Sequence, residues 1–156
     1  MNRLLQRRIR HPRVLCWMLN LYPPYRGAGV RVRQIAPDFR RIEVEMPLRW
    51  FNRNYVGTHF GGNLYSMTDP FFMLMLIHIL GPEYQVWDQA AEIVFRRPGR
   101  GTVQAVLTLD EAQIEDIRRH TANGEPYRPR FMVQVTDTQG EVVAEVMKVL
   151  YIKKVR

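Results

Sequence analysis

Apolar and polar residues alternate along the chain with two periods, which predict helices and strands in a definite order. The segment NRLLQRRIRHPRVLCWMLNLY has apolar residues at helical spacing, and Pro12 divides it. The segment VRVRQIAPDFRRIEVEMP alternates in two bursts around a turn at Pro37 and Asp38, which predicts a hairpin. The segment FFMLMLIHIL, which stops at Gly81 and Pro82, predicts a helix buried all round because nearly every face is apolar.

Four further strand patterns fill the second half of the chain: YQVWDQAAEIVFRR, TVQAVLTL, RFMVQVTD and EVVAEVMKVLYIKK. The turn signals PGRG and TQG each separate a pair of these strands and predict two antiparallel hairpins. Between the second and third strands, DEAQIEDIRRHTANG predicts a capped helix that ends at a glycine. The order of elements predicts an α+β fold, with an antiparallel sheet wrapped around the long central helix and an N-terminal helical extension.

The composition fits one globular domain. A chain of 156 residues with 46% apolar and 24% charged residues can build one core, but it is too short for two ordinary domains. Its single cysteine, Cys16, excludes an internal disulfide and suits a reducing compartment. No signal peptide or membrane-spanning run is recognisable, so we expect a cytoplasmic protein.

The formal net charge of +8 lies entirely in the first quarter of the chain. Residues 1–37 contain eight arginines and no acidic residue, whereas the rest of the chain has fifteen basic and fifteen acidic residues. Such a basic amphipathic start suits weak contact with a membrane surface or another polyanion. A solvated helix face docked on the body would give the same pattern, and it is the simpler interpretation of a short patch. No strand interleaves aromatic and basic residues, so no nucleic acid is expected as a partner.

A glycine-rich stretch, NYVGTHFGGNLYSMTDP, stands directly before the central helix. Its notable positions are Asn54, Gly57, Gly61, Gly62 and Asp69. This motif and the order of elements resemble the hotdog-fold acyl-CoA thioesterases of the phenylacetyl-CoA type. The chain is most similar to a branch of that superfamily known as a domain of unknown function. The resemblance implies a hotdog domain over residues 27–156, preceded by the helical extension at residues 1–26.

The chain departs from the family pattern at one position of the motif. The family places a histidine directly before the glycine pair, whereas Phe60 stands there in this chain and His59 precedes it. The resemblance therefore implies substrate contact for both His59 and Phe60. A solvated loop histidine is the alternative for His59. Another histidine, His78, lies within the apolar helix and is expected to be a core residue. No spacing of His, Cys and Asp predicts a metal site.

Thioester hydrolysis gives the other motif residues definite roles. Glycines at the start of a helix let a carbonyl approach unpaired N–H groups, so Gly61 and Gly62 are the candidate oxyanion donors. Asn54 would hold the same carbonyl or the attacking water. Asp69 would act as general base or as nucleophile, two helical turns beyond Gly62. Alternatively, Asp69 is only the N-cap of a helix whose first residue is Pro70.

Coenzyme A would enter as part of the substrate, and no separate cofactor is expected. Its phosphates require cations, which Arg96, Arg97 and Arg100 offer around a tight turn. A charged hairpin tip is the alternative for these arginines. The strand VWDQAAE also carries three polar residues whose direction, toward a pocket or toward a partner subunit, stays open: Asp88, Gln89 and Glu92.

The resemblance implies a homodimer or homotetramer that hydrolyses acyl-CoA or aryl-CoA thioesters at a site shared between subunits. An all-apolar helix covered by one sheet also favours a second subunit. Two alternatives remain open. The first is a non-hydrolytic acyl-CoA binder or dehydratase-like protein of the same fold. The second is a protein that acts at a membrane surface or polyanion through its basic N-terminus.

Overall fold

A computed structural model describes residues 11–155 of the chain. The helices are α1 (Pro12–Leu21), α2 (Pro23–Ala28), α3 (Gly61–Ser66), α4 (Phe71–Leu80) and α5 (Glu111–Thr121). The strands are β1 (Arg31–Ile35), β2 (Arg41–Pro47), β3 (Tyr84–Phe95), β4 (Thr102–Thr108), β5 (Arg130–Asp137) and β6 (Val142–Lys154). Every element predicted within these residues is present, and α2 is an additional helix in a segment whose prolines and glycines predict a break. The predicted helical pattern before His11 lies outside the described residues.

The strands form one antiparallel sheet in the order β1-β2-β4-β5-β6-β3. The predicted hairpins β1–β2 and β5–β6 are confirmed. The hairpin predicted at PGRG is wrong, because β3 pairs with β6 whereas β4 lies between β2 and β5. A short turn signal reports only the local reversal of the chain, and the packing of the sheet around the central helix decides which strands pair.

The central helix α4 packs one side against the sheet. Phe71, Phe72, Met75, Leu76 and Leu80 are buried, and Gly81 ends the helix as predicted. The remaining apolar residues of α4 are only partly buried: Met73, Leu74, Ile77 and Ile79. A single chain therefore leaves one face of this helix incompletely covered, which differs from the expected burial all round.

The two edge strands of the sheet, β1 and β3, differ in what covers their outer edges. Helix α1 covers the outer edge of β1, where the Asn20 side chain exchanges two hydrogen bonds of 2.9 Å with the backbone of Val32. An amide side chain thus takes the place that a neighbouring strand would occupy. The outer edge of β3 has no such cover among the described residues, and most of the strand is exposed.

Candidate functional site

A buried lysine lies at the centre of the candidate site. The Lys148 side chain is 1% exposed, and its Nζ donates a hydrogen bond to Asp69 Oδ1 and another, of 3.0 Å, to the Tyr65 hydroxyl. The same Nζ lies 3.0 Å from Asp88 Oδ1. A buried ammonium is costly unless carboxylates and hydrogen bonds compensate it. Lys148 therefore holds two carboxylates and a phenol, from three separate segments, in one cluster.

The register of β6 places Lys148 inside the protein. Val146, Leu150 and Ile152 are fully buried, and Lys148 occupies the same face of the strand. This lysine is not among the site residues that the sequence predicts. A signal for it is nevertheless present in the sequence, because a lysine interrupts the apolar face of an otherwise alternating strand.

Asp88 reaches the cluster from β3. The pairing of β3 with β6 shifts by one residue between Asp88 and Ala90, so that Gln89 forms a bulge directly beyond the aspartate. Both carboxylate oxygens of Asp88 are buried, and no described residue donates a well-aligned hydrogen bond to them. Burial raises the pKa of Asp88, although the charge of Lys148 opposes that shift. The direction of Asp88, which the sequence left open, is thus inward.

Asp69 lies in the turn between α3 and α4. Its Oδ1 accepts the hydrogen bonds of Lys148 and of Tyr65, the latter at 3.1 Å, whereas Oδ2 accepts none from the described residues. The Tyr25 hydroxyl donates to the backbone carbonyl of the same aspartate. The side chain remains 37% exposed. Asp69 therefore has one fixed oxygen and one that is free to meet a ligand or water.

The helix-cap interpretation of Asp69 is wrong. Helix α4 begins at Phe71, its N-cap position is Pro70, and no side chain caps it. The expectation that Asp69 lies two uninterrupted helical turns beyond Gly62 is also wrong, because α3 ends at Ser66. The aspartate leaves the helical path, and Lys148 and Tyr65 fix its direction.

The balance of charge in the cluster is uneven. Burial alone would lower the pKa of Lys148, but the hydrogen bonds to Asp69 and Tyr65 and the charge of Asp88 together raise it. The lysine is therefore charged at neutral pH. One ammonium faces two carboxylates, and Asp88 is the one without aligned donors. The cluster thus contains a carboxylate with a raised affinity for a proton.

A cleft of about 390 Å³ opens beside the cluster. Tyr65, Asp88 and Lys148 line its polar part, and Ala90, Ala91 and Ile93 of β3 line its apolar part. Gln89 also lines the cleft, and Asp69 contacts two of these four polar residues, Tyr65 and Lys148. The cleft therefore lies along the uncovered edge of the sheet, with a charged cluster at its inner end.

The predicted oxyanion donors lie at the start of α3. The backbone N–H groups of Gly61 and Gly62 donate to no acceptor among residues 11–155, as expected in the first turn of a helix. A Cβ on Gly61 would lie 2.9 Å from the Phe95 ring, and one on Gly62 would lie 2.6 Å from the Phe60 ring. Neither glycine has a positive φ, so the backbone conformation does not require glycine here. The close approach of the two aromatic rings explains why a side chain does not fit at either position.

Two other motif residues are used inside their own loop. Asn54 Oδ1 accepts from the backbone of Val56 and Thr58, and its Nδ2 donates to Thr58 Oγ1 and to the His59 carbonyl. His59 is buried, and its Nε2 donates to the Gly101 carbonyl at 2.8 Å. Burial lowers the pKa of His59, so the ring is neutral at pH 7. The interpretation of His59 as a solvated loop residue is therefore wrong. Direct substrate contact by Asn54 or His59 stays a prediction, which these contacts do not favour.

The predicted phosphate-binding arginines are mostly paired with carboxylates. Arg96 binds Glu145, and Arg97 lies 2.6 Å from Asp137 and 3.6 Å from Glu141. Arg100 is exposed and forms no ion pair with a described residue. Of the remaining predicted contacts, Phe60 is 55% exposed beside the glycine pair. His78, expected to be a core residue, is only half-buried, and its ring stacks on that of Phe39 with the ring centroids 4.1 Å apart.

The chemistry that this cluster can perform is proton transfer beside an apolar cleft. A carboxylate oxygen without a donor, beside a fixed ammonium, can take up and release a proton, and an acyl-transfer site requires such a group. Within residues 11–155, no group of three His, Cys, Asp or Glu side chains is arranged to hold a metal ion. None of the helices in this part of the chain has the length and hydropathy that crossing a membrane requires.

Comparison with protein families gives one match, the family described as "Domain of unknown function (DUF4442)", over residues 11–152. No curated protein matches the sequence. Among solved structures, the chain is similar to a Pseudomonas aeruginosa protein of unknown function described as a probable thioesterase. The TM-score is 0.78 at 22% identity, covering 91% of this chain and 95% of that one.

Two other solved structures show the same fold. A protein of unknown function from Chlorobaculum tepidum has a TM-score of 0.72 at 14% identity, covering 92% of this chain and 97% of that one. A thioesterase from Haemophilus influenzae has a TM-score of 0.66 at 14% identity, covering 90% and 91%. These likenesses confirm the predicted hotdog-type α+β fold.

Proposed function

We propose that this chain, which belongs to the DUF4442 family, hydrolyses acyl or aryl thioesters of coenzyme A in the cleft beside Lys148. The observation that carries the proposal is the cluster of Asp69, Asp88 and Tyr65 around the buried Lys148, three of whose four members line that cleft. A structural ion pair needs only one carboxylate. The second one, held without an aligned donor at the edge of a cleft, suits a site that handles protons.

Asp69 is the proposed general base. Lys148 and Tyr65 fix one carboxylate oxygen and leave Oδ2 free to take a proton from water. The oxygen of that water bonds to the thioester carbon, and the carbonyl electrons move to the oxygen as an oxyanion. The N–H groups of Gly61 and Gly62 stabilise that oxyanion. The carbon–sulfur bond then breaks, and the proton held on Asp69 passes to the departing thiolate, which gives a carboxylic acid and free coenzyme A.

Lys148 and Asp88 are proposed to position Asp69. Lys148 holds the Asp69 carboxylate in one direction, and the lysine remains charged throughout because its pKa is raised. Asp88 supports the ammonium from the opposite strand. Neither residue needs to touch the reacting carbonyl for this role.

The functional unit is proposed to be a homodimer formed along β3. This strand has 12 residues, its outer edge is uncovered by any described residue, and its exposed residues include Trp87, Val94 and Phe95. A long apolar edge strand invites pairing with another chain. The opposite edge cannot pair in the same way because Asn20 occupies it. Pairing of two β3 strands would close the cleft with residues of the second copy, and it would bring α4 of each chain near the partly covered face of the other.

The phosphates of coenzyme A are proposed to lie near Arg100. Arg100 is exposed and binds no carboxylate of the described residues, whereas Arg96 and Arg97 would need to exchange their present partners for phosphate. Loss of affinity on Arg100→Gln with an unchanged kcat for a saturating substrate is the expected result. Equal affinity for the full substrate in wild type and variant would contradict this placement.

A panel of acyl-CoA and aryl-CoA thioesters, followed by detection of the released thiol, tests the proposed reaction. Turnover by the wild-type protein and its loss in Asp69→Asn would support hydrolysis. The matched control is Asp38→Asn, an exposed aspartate in the β1–β2 turn. Saturable binding of the same thioesters without any thiol release would instead support the non-hydrolytic acyl-CoA binder.

A further inference from the structure

Helix α1 has two apolar faces, and within residues 11–155 only one of them packs against the rest of the protein. Leu15 is buried and Leu19 half-buried against the body of the protein. The other face consists of Val14, Trp17, Met18 and Leu21, which recur at helical spacing and are all exposed. Trp17 is 65% exposed. A continuous apolar stripe on the outside of a helix is not required for folding, and it indicates a surface that another partner covers.

The dimer proposed above does not explain this stripe. Helix α1 packs on β1, at one end of the sheet, whereas the uncovered strand β3 lies at the other end. Pairing along β3 would leave α1 on the outer side of each subunit. The stripe therefore needs an explanation of its own.

A basic groove adjoins the end of α1. It has a volume of about 410 Å³, and Asn20 of α1 lines it together with four arginines: Arg26, Arg31, Arg33 and Arg49. Only Arg33 contacts a carboxylate within residues 11–155, that of Glu45 at 3.5 Å. The guanidinium groups of the other three can therefore bind an external anion without leaving an internal partner.

The net charge of the chain lies in the part of the sequence that contains α1. Residues 1–37 contain eight arginines and no acidic residue. Those on the N-terminal side of α1 in the sequence are Arg3, Arg7, Arg8 and Arg10. A single amphipathic helix binds membranes weakly, and adjacent arginines strengthen the binding when the lipids are anionic.

We infer that α1 docks this protein on an anionic lipid surface. Trp17, Met18 and Leu21 would enter the interface between headgroups and acyl chains, and the arginines of the basic groove would bind lipid phosphates. Apolar side chains favour lipid over a nucleic acid, because phosphate and sugar offer no apolar region in which Leu21 and Met18 could be buried. The arginines of the groove at the end of α1 favour anionic lipid over a second copy of this chain, which is itself basic.

Vesicle co-sedimentation of the full chain tests this inference. One set of vesicles contains phosphatidylcholine alone, and the other contains phosphatidylcholine mixed with phosphatidylglycerol. The test variant is Trp17→Ser with Leu21→Ser, and its control is Met132→Ser, which is 59% exposed on β5. The charge variant is Arg31→Gln with Arg49→Gln, and its control is Arg118→Gln on α5. All of these residues are exposed, so the variants should fold, which circular dichroism can verify.

The wild type is expected to bind the anionic vesicles and to bind the neutral ones much more weakly. The stripe variant should lose at least about tenfold in affinity. The charge variant should also bind less, and added salt should weaken wild-type binding. Both controls should bind like the wild type. Turnover of a short, water-soluble thioester should not change in the stripe variant, which separates this surface from the proposed reaction.

Three kinds of result would overturn the inference. The first is equal binding to neutral and anionic vesicles, or equal binding by the stripe variant. The second is a smaller oligomer in light scattering for the stripe variant, together with no vesicle binding by the wild type, which would assign the stripe to contact between copies. The third is wild-type binding to single-stranded DNA that exceeds vesicle binding and does not depend on Trp17.

Discussion

Lys148 Nζ lies 3.0 Å from Asp88 Oδ1, across the pair of strands β3 and β6, while it donates to Asp69 from the other side. The lysine thereby links the edge of the sheet to the turn before the central helix. Asp88 pairs with the fully buried Leu150, so its side chain lies on the inner face of the sheet, directly before the bulge at Gln89. The Lys148 ammonium thus contacts residues of the edge strand β3 and of the turn before α4, and it also lines the cleft.

Asp69→Asn should abolish most of the turnover and leave the fold intact. The amide keeps an oxygen that can accept from Lys148 and Tyr65, but it cannot take a proton from water. We expect kcat to fall by about 10²- to 10⁴-fold, with little change in substrate affinity. Steady-state kinetics and thermal unfolding measure the two effects. Full activity in a stable Asp69→Asn protein would refute the assignment of this residue as base.

Lys148→Met should destabilise the protein strongly. The substitution removes the buried cation and leaves Asp69 and Asp88 close together without compensation. We expect a loss of about 3 kcal/mol in the free energy of unfolding, measured with urea. Lys153→Met is the control on the same strand, because Lys153 forms no ion pair with a described residue, and it should change stability by less than about 0.5 kcal/mol.

The effect of Lys148→Met should be partly reversed by a second substitution, Asp88→Asn. Removal of one buried negative charge relieves the repulsion that loss of the lysine creates. A double-mutant cycle of unfolding free energies measures the coupling. Additive effects of the two substitutions would show that Lys148 and Asp88 do not interact, contrary to the structure.

Asp88→Asn alone should change how stability depends on pH. Burial raises the folded-state pKa of Asp88 above its unfolded-state pKa of about 3.9. The folded state then binds more protons than the unfolded state. Protonation of Asp88 therefore contributes to the stability of the fold at low pH, and this contribution is lost as the pH rises through the folded-state pKa. Lys148, which faces Asp88 and has a raised pKa, stays charged across this range.

The variant should therefore gain stability relative to the wild type as the pH rises between about pH 4 and pH 7. Urea unfolding at several pH values within this range measures the difference. The exposed aspartate Asp38, substituted in the same way, should give curves parallel to those of the wild type. A relative gain in stability for Asp88→Asn as the pH falls would contradict a raised pKa of Asp88.

Ala91→Glu should dissociate the proposed dimer. Ala91 is exposed on β3 and lines the cleft. Pairing of two β3 strands would therefore bury the introduced glutamate of one chain close to the introduced glutamate of the other. Light scattering should give a dimer mass for the wild type and a monomer mass for the variant. Val106→Glu, at an exposed apolar position on β4, is the control and should remain dimeric. A monomeric wild type with full activity would refute the shared site.

Much of the fold could be predicted from the sequence because its determinants are local. Helix α5 follows from a capping box between Asp110 and Gln113, and the hairpin β5–β6 follows from a turn signal. The apolar character of FFMLMLIHIL identifies α4 whatever surrounds it. Periodicity and end signals of this kind act over a few residues, so a single sequence is sufficient to recognise them.

The candidate site could be predicted only in part. The glycine motif and Asp69 lie in one short stretch that the sequence identifies, and the glycines do begin a helix. Lys148 lies 79 residues from Asp69, and Asp88 meets Lys148 because β3 pairs with β6, a pairing that the turn signals did not predict. No local pattern encodes which distant strand pairs with which, so these partners became visible only with the tertiary structure.

The sequence by itself determined the order of elements, the apolar central helix, the basic first quarter and the position of the aspartate. The tertiary structure decided that β3 pairs with β6 rather than β4, that Asp69 binds Lys148 instead of capping α4, and that one apolar face of α1 remains exposed. The physical reason is the same in each case. Spacing along the chain fixes which face of an element is apolar, but what covers that face depends on contacts between residues far apart in sequence.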